Sequence, residues 1–255
     1  MNLNLTGQVA IVTGSSTGIG RACAIALAKE GVAVTINYHQ SDEMAVSAVK
    51  EIKDAGGKAI MVQADVSKQE DVDRLIKETV DAFGHLDIMV SNAGIEINAP
   101  FLEMEADTWK KVLDVGLNGQ FYAIQAAARQ FVKQGLTDRS RALGKIISMS
   151  SVHDRIPWVG HVNYAAGKGG VKLLMESVAM ELGPQKIRVN SISPGAIATD
   201  INRAAWEKKE DLEELLEKIP YDRIGQTEDV ANLCLFLSSD VSDYMTGATV
   251  YIDGG

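Results

Sequence analysis

Short apolar runs alternate with longer segments of helical periodicity from one end of the chain to the other. The runs are Val9–Val12, Ala33–Asn37, Lys58–Gln63, Leu86–Ser91, Lys145–Met149, Arg188–Ser193 and Thr249–Ile252. Between them, segments such as Ala22–Glu30, Asp71–Phe83, Thr108–Lys133 and Tyr164–Leu182 repeat apolar residues at helical spacing. Strands apolar on both faces and separated by helices belong to a parallel sheet covered on both sides. Right-handed crossovers then wind the helices onto both faces. The pattern therefore predicts an α/β fold: one doubly wound sheet of about seven parallel strands, forming a single domain over residues 1–255. No repeat, low-complexity tract or linker interrupts the rhythm.

Two segments depart from it. Gln134–Gly144, with Arg139, Arg141 and the adjoining Lys145, reads as a polar, basic connection before the fifth strand, more in keeping with a solvated loop than with a dock for an acidic partner. Ile201–Lys218 is a charged helical stretch that includes Trp206, and it follows a loop at Thr199.

Composition adjusts this picture only a little. At 255 residues with 46% hydrophobic content, the chain can bury a sizeable core. No run of about 18 apolar residues is present, so no membrane span is expected. The start lacks the basic and apolar regions of a signal peptide, which points to a cytoplasmic protein. A net charge of −9 disfavours nucleic acid and anionic membranes as partners. Cys23 and Cys234 fall in helical segments and read as buried thiols rather than a disulfide. No cluster has metal-ligand spacing, so no metal is expected.

Candidate chemistry lies at two places. The first is Val9-Ala-Ile-Val-Thr13-Gly14-Ser-Ser16-Thr17-Gly18-Ile19-Gly20-Arg21, where a strand flows into a glycine-rich turn and then a helix. Glycines allow the backbone close to a pyrophosphate, and free N–H groups at the helix start face its charge. The second is Ser151, thirteen residues before Tyr164, with Lys168 four beyond. On a helix, Tyr164 and Lys168 share one face. An ammonium favours the phenolate of a nearby phenol, and a phenol so tuned can move the proton of an alcohol or carbonyl.

Together these motifs resemble the short-chain dehydrogenase/reductase family along essentially the whole chain, and the resemblance implies a Rossmann-type fold. Thr13–Gly20 matches the Thr-Gly-x-x-x-Gly-x-Gly turn, Asp65-Val66 the adenine-contacting pair, and Asn92-Ala93-Gly94 the stretch beneath the cofactor, although Ser91 replaces a frequent asparagine. Asn118 matches the active-site asparagine, Ser151, Tyr164 and Lys168 the catalytic trio, and Pro194-Gly195, with Ile197 and Thr199, the nicotinamide-side loop. In the implied mechanism Tyr164 is general acid and base. Lys168 lowers its pKa and holds the nicotinamide ribose, Ser151 hydrogen-bonds the substrate oxygen, and Asn118 holds a water that links Lys168 to solvent. Ser150 adjoins Ser151 but lacks the spacing. The stretch at 201–218 resembles the helix that covers the substrate, with a merely solvated helix as the other reading.

The implied cofactor is NADP, with NAD as a second option. The region after the second strand, Ile36–Ser41, contains Asn37 and His39 but no carboxylate to repel a 2′-phosphate, and it also lacks a phosphate-gripping arginine. Ser16, Thr17 and Asn37 are further hydrogen-bonding candidates. The substrate is an alcohol or carbonyl small molecule. Glu96, His153 and the Ile156-Pro157-Trp158 sequence resemble bacterial glucose 1-dehydrogenases, so a sugar or polyol is expected, with Glu96 and His153 on its hydroxyls. Bracing roles for both residues remain open, and the sugar enzymes carry a tail beyond the position of Gly255. The alternatives are a 3-oxoacyl-thioester or general carbonyl reductase, with Arg129, Lys133 and Lys172 as candidates for docking an acyl carrier, and a non-catalytic scaffold. A homotetramer is expected through the apolar faces of Thr108–Lys133 and Tyr164–Leu182.

Overall fold

The computed structural model describes residues 3–40, 42–199 and 206–255. The strands are β1 (Val9–Val12), β2 (Ala33–Tyr38), β3 (Ala59–Gln63), β4 (Ile88–Ser91), β5 (Gly144–Met149), β6 (Ile187–Pro194) and β7 (Thr249–Ile252). They form one all-parallel sheet in the order β3-β2-β1-β4-β5-β6-β7. The order reverses between β1 and β4, which opens a crevice at their carboxyl ends.

Helices cover both faces: α1 (Gly18–Lys29), α2 (Asp42–Asp54), α3 (Gln69–Phe83), α4 (Ala106–Leu113), α5 (Gly119–Gln134), α6 (Val162–Leu182), α7 (Lys209–Leu216) and α8 (Thr227–Ser238). Because successive strand residues point to opposite faces, β1 feeds two separate cores. Ala10 and Val12 pack with Leu27, Ile36, Val90 and Leu237 on one side. Val9 and Ile11 pack with Leu75, Met89, Ile124 and Phe131 on the other. Cys23 and Cys234 meet in the first core as free thiols, and the neighbouring thiol together with burial pushes Cys23 well above its ordinary pKa.

Four segments differ from the sequence expectation. α1 begins at Gly18, four residues before Ala22, because the glycine turn itself supplies the first helical turn. Thr108–Lys133 is not one helix. A π-helical turn at Asp114–Asn118 separates α4 from α5 and places Asn118 at its end. Of the segment 201–218, residues 201–205 lie outside the described residues, and α7 occupies Lys209–Leu216 with no buried side chain. The basic connection at 134–144 is docked rather than wholly solvated: Arg139 pairs with Asp87 at 3.2 Å, and Ser140 donates to Asp240 at 2.7 Å.

At the amino end of β5, Lys145 is fully buried, and its Nζ donates to Gln8 Oε1 at 2.6 Å. Burial pushes this ammonium down to about 8, against the opposing pull of Asp240 and Asp87. An unfolded lysine titrates near 10.4. Between those two values the unfolded chain binds more protons than the folded one, so this group's contribution to stability rises with pH. The difference in urea stability between the wild type and Lys145→Met is accordingly expected to grow in favour of the wild type between about pH 7.5 and about pH 9.5, by up to roughly 1.4 kcal/mol per pH unit. A difference that stays flat across that range contradicts the assignment.

Candidate active site

The glycine turn is held from three strands. Thr13 Oγ1 accepts the backbone N–H groups of Asn92 (2.9 Å) and Ala93 (3.0 Å), while Asn92 Nδ2 donates to the carbonyls of Thr13 and Gly14 at 2.9 and 3.1 Å. Asn37 Oδ1 accepts from Gly14 N, and its Nδ2 faces carbonyls of Tyr38, Val62 and Ala64. The Asn37 amide therefore braces the turn, and both of its polar ends are occupied by backbone. Gly14 and Gly18 sit at φ +59° and +57°, where glycine is favoured. A Cβ at Gly20 would lie 2.4 Å from Gly14 O and 2.5 Å from Asn92 Nδ2. Thr17 caps α1 without a side-chain bond, and the first turn of α1 carries no acidic residue. This cradle of close backbone and an uncapped helix start fits the pyrophosphate of a dinucleotide.

The end of the crevice beside β2 and β3 gathers Asp65, Val66 and His39. Ser67 donates to Asp65 Oδ1 from both its N–H and its hydroxyl. Burial pulls the Asp65 carboxyl upward, but those bonds, with His39 and Lys68 nearby, outweigh it and hold the group below its usual range. His39 is exposed, with Nε2 3.9 Å from Asp65 Oδ2. Val66 presses on the start of α5, where a Cβ at Gly119 would meet its Cγ2 at 2.9 Å.

Ser151 lies just past β5, and Tyr164 and Lys168 lie on α6, one turn apart. Lys168 is almost completely buried; its Nζ donates to Met149 O at 2.8 Å and stands 5.4 Å from the centre of the Tyr164 ring. Burial pushes Lys168 down to about 8, with Asp154 opposing. Burial pushes the Tyr164 phenol up to about 12, a hydrogen bond with Ser151 pulls it back, and the Glu96 carboxylate adds to the rise. Ser151 Oγ also accepts from His153 N at 3.2 Å, whereas Ser150 Oγ is turned to Asp154 at 3.1 Å. Of the two neighbouring hydroxyls, Ser151 is the one that meets the phenol. Asn118 is held by Asp114 Oδ1 at 2.8 Å on the π-helical turn, a distortion that recurs at functional sites.

Pro194 ends β6. A Cβ at Gly195 would lie 2.7 Å from Asp253 Cβ, so the loop closes tightly on the segment after β7. Ile197 bridges to Gly225, and Thr199 approaches the glycine turn, since a Cβ at Gly18 would lie 3.8 Å from its Cγ2. A Cβ at Gly94 would likewise lie 3.8 Å from Lys168 Nζ.

Two residues beside the phenol had no signal in the sequence. His161 Nε2 meets Glu96 Oε1 at 3.0 Å, and its Nδ1 meets Val159 O at 3.0 Å. Asn163 Nδ2 donates to Ile97 O, tying the loop after β4 to the start of α6. His161 and Glu96 are 65 positions apart, and only a fold that folds those loops together makes them a pair. His153 braces its own loop through Ile156 O at 3.0 Å. The Trp158 ring stacks on His153 at 4.2 Å and 14° and on His161 at 3.6 Å and 7°. Two coplanar imidazoles cannot both centre so closely over one face, so they cover opposite faces of the indole. The Tyr164 ring meets the edge of this stack, with centroids 6.4 Å from His153 and 6.0 Å from Trp158.

A family model described as enoyl-(acyl carrier protein) reductase matches residues 14–255. Glucose 1-dehydrogenase 2 of Bacillus subtilis (strain 168) is 40% identical over 256 residues, covering 100% of this chain and 96% of the relative. The 3-oxoacyl-[acyl-carrier-protein] reductase of Synechocystis sp. is 41% identical over 252 residues, covering 98% of this chain and 97% of the relative. Among solved structures, a gluconate 5-dehydrogenase from Burkholderia cenocepacia J2315, in complex with NADP and tartrate, superposes with a TM-score of 0.91 at 33% identity. That match covers 100% of this chain and 96% of the other.

The crowding at Gly20 makes one outcome specific. Gly20→Ala forces a methyl against backbone that cannot yield, and it is expected to weaken nicotinamide-dinucleotide binding about tenfold or more in a fluorescence titration. An unchanged dissociation constant in a normally folded variant contradicts the assignment of the cradle.

Proposed function

Since the chain belongs to the short-chain dehydrogenase/reductase family and is an oxidoreductase, we propose that it interconverts the alcohol and carbonyl forms of a sugar or polyol, D-glucose foremost. The observation that carries this reading is the polar group around Tyr164: the Glu96–His161 pair and His153, beside a phenol and a buried ammonium. A polyol offers hydroxyls to the Glu96 carboxylate and to the second ring nitrogen of His153, whose Nδ1 alone is engaged by the loop. The resemblance to an enzyme named glucose 1-dehydrogenase supports the same choice.

When bound, the nicotinamide dinucleotide supplies the hydride acceptor or donor. The chain's residues handle the proton and the geometry. Tyr164 takes the hydroxyl proton as the alcohol is oxidised and returns it to the carbonyl oxygen in reduction. Ser151 donates to the same oxygen, where negative charge develops. Lys168 lends positive charge to the phenol and holds the nicotinamide ribose hydroxyls. Asn118 positions a water between Lys168 and solvent. The chain alone leaves the phenol weakly acidic, at about 12, so Lys168 and the cationic ring of an oxidised cofactor act in one direction upon it. Gly14, Gly18 and Gly20 carry the pyrophosphate, with Ser16, Thr17 and Ile19 around it. Asp65 and Val66 take the adenine, and Ala93, Gly94, Pro194, Gly195, Ile197 and Thr199 flank the nicotinamide half. NADP is the preferred form, with NAD accepted, because the end of β2 presents His39 and no carboxylate. The 206–218 portion of the expected covering segment contains α7, which serves as cover for the substrate.

Initial rates with D-glucose and either NADP or NAD test this reading. We expect glucose oxidation, faster with NADP, and a loss of about 100-fold or more in Tyr164→Phe. Reduction of an acetoacetyl thioester without glucose oxidation would replace it with the reductase reading, which the 41% identity to a 3-oxoacyl-[acyl-carrier-protein] reductase favours. Activity that survives Tyr164→Phe would remove the proton-transfer role altogether.

The same proposal includes a homotetramer. Phe121 and Val132 on α5, with Leu173 and Met180 on α6, are exposed, and the groove between these helices is lined by Ile124, Ala128, Val178 and Leu182. Light scattering at four times the chain mass is expected; a monomer mass rules the assembly out.

A further inference from the structure

We propose that Asp154 is a positioning residue whose carboxylate ties the strand end bearing Ser151, the loop beyond Pro194 and the last strand into one unit around Lys168. Three hydroxyl donors converge on it. Ser193 Oγ donates to Oδ2 at 2.6 Å, Ser150 Oγ to Oδ2 at 3.1 Å, and the Tyr251 hydroxyl to Oδ1 at 2.8 Å. Its own N–H donates to Ser151 O at 2.9 Å. The three donors stand at the ends of β5 and β6 and within β7, adjacent in the sheet, with Ser193 and Tyr251 opposite each other in register. Ser150 Oγ also lies 3.4 Å from Lys168 O, so the hub reaches α6 behind the lysine. One residue thus holds the end of β5 that leads into Ser151, the strand that leads into Gly195, and β7 at the edge of the sheet.

A cross-link of hydroxyls alone needs no charge, because an amide or another hydroxyl also accepts such bonds. The surroundings of Asp154 do call for charge. Lys168 of α6, His153 of its own loop and Tyr251 of β7 act on it directly, and around these Lys172 reaches Tyr251 while Arg155 pairs with Asp253. Arg155 lies 3.8 Å from the centre of the Tyr251 ring and 3.8 Å from Asp253 Oδ2. Burial and then the bond to Asp154 push the Tyr251 phenol upward, which keeps it a donor. The carboxylate acts against the burial that draws Lys168 towards neutrality. Asp154 touches none of the reacting atoms and works through Lys168 and Ser151.

This inference rests on the reading of Lys168 as the charged group that holds the ribose, and a binding measurement tests it without any substrate. Asp154→Asn keeps the volume and removes the charge, while Tyr251→Phe keeps the charge and removes one bond. Binding of NADPH is followed by fluorescence against pH for both variants and the wild type, with thermal midpoints alongside. In Asp154→Asn the pH at which affinity falls away on the alkaline side is expected to move down by about one unit, since Lys168 then loses its proton earlier. In Tyr251→Phe that pH stays in place, and kcat falls roughly tenfold with any substrate that turns over. An Asp154→Asn profile identical to the wild type overturns the proposal. So does a folded Ser193→Ala, Tyr251→Phe double variant with unchanged kcat, which serves if Asp154→Asn does not fold. Failure to find a substrate bears on the proposed function and leaves the binding result to stand.

Discussion

An ammonium with almost no access to water is the constraint around which the carboxyl end of the sheet is arranged. Lys168 is 5% exposed, and a charge at such a position is retained only where oxygen atoms replace its hydration. Met149 O meets it directly and Asp154 acts from nearby. Both oxygens depend on β5 ending where it does: Met149 is its last residue, and Asp154 sits on the short turn that follows. The same strand buries a second lysine at its other end, where Lys145 finds the neutral amide oxygen of Gln8. Two lysines buried by one fold are thus held in a similar way. Each donates to a neutral oxygen, Met149 O or Gln8 Oε1, and carboxylates act from nearby, Asp154 on the first and Asp240 with Asp87 on the second.

The glycine turn obeys a related logic. Close approach of backbone to a ligand requires glycines, but glycines alone would leave the turn soft. Thr13 and Asn92 supply the stiffness from β1 and the end of β4, and Asn37 supplies it from β2. These contacts span the crevice where the strand order reverses. Asn37 was a candidate ligand on its position in the sequence. Its buried amide instead fastens the turn to the edge of β3 through the carbonyls of Val62 and Ala64. Position near a cofactor and contact with it are different properties, and only the second leaves polar atoms free.

How legible each feature was in the sequence follows its range of interaction. The strands could be read almost to the residue, because both faces of a covered parallel strand are apolar and the runs stand out against their helices. Tyr164 and Lys168 could be read because one helical turn relates them. The break at Asp114–Asn118 could not, since the apolar spacing of Thr108–Lys133 continues through it and a single extra residue in a turn leaves periodicity nearly intact. Gly116 and Gly119 were the only local hint. The Glu96–His161 pair and the Asn163 tie were invisible for another reason: each joins the loop after β4 to the segment where α6 begins, parts of the chain brought together only by the fold. Asp154 was passed over because its partners come from three separate strands.

Trp158 carries a consequence for how this site can discriminate. With imidazoles stacked over the centre of both faces, the indole keeps some exposure but little flat surface to lay against a substrate ring. What it leaves in the open is an edge, next to a carboxylate and a phenol. A site that grips little by stacking must distinguish its guests by counting hydrogen bonds. Such sites are forgiving of added apolar bulk and severe towards a missing hydroxyl, because a deleted donor leaves a desolvated acceptor unmatched. Selectivity of that kind sharpens towards deoxy analogues and stays loose towards substituents that merely enlarge the molecule.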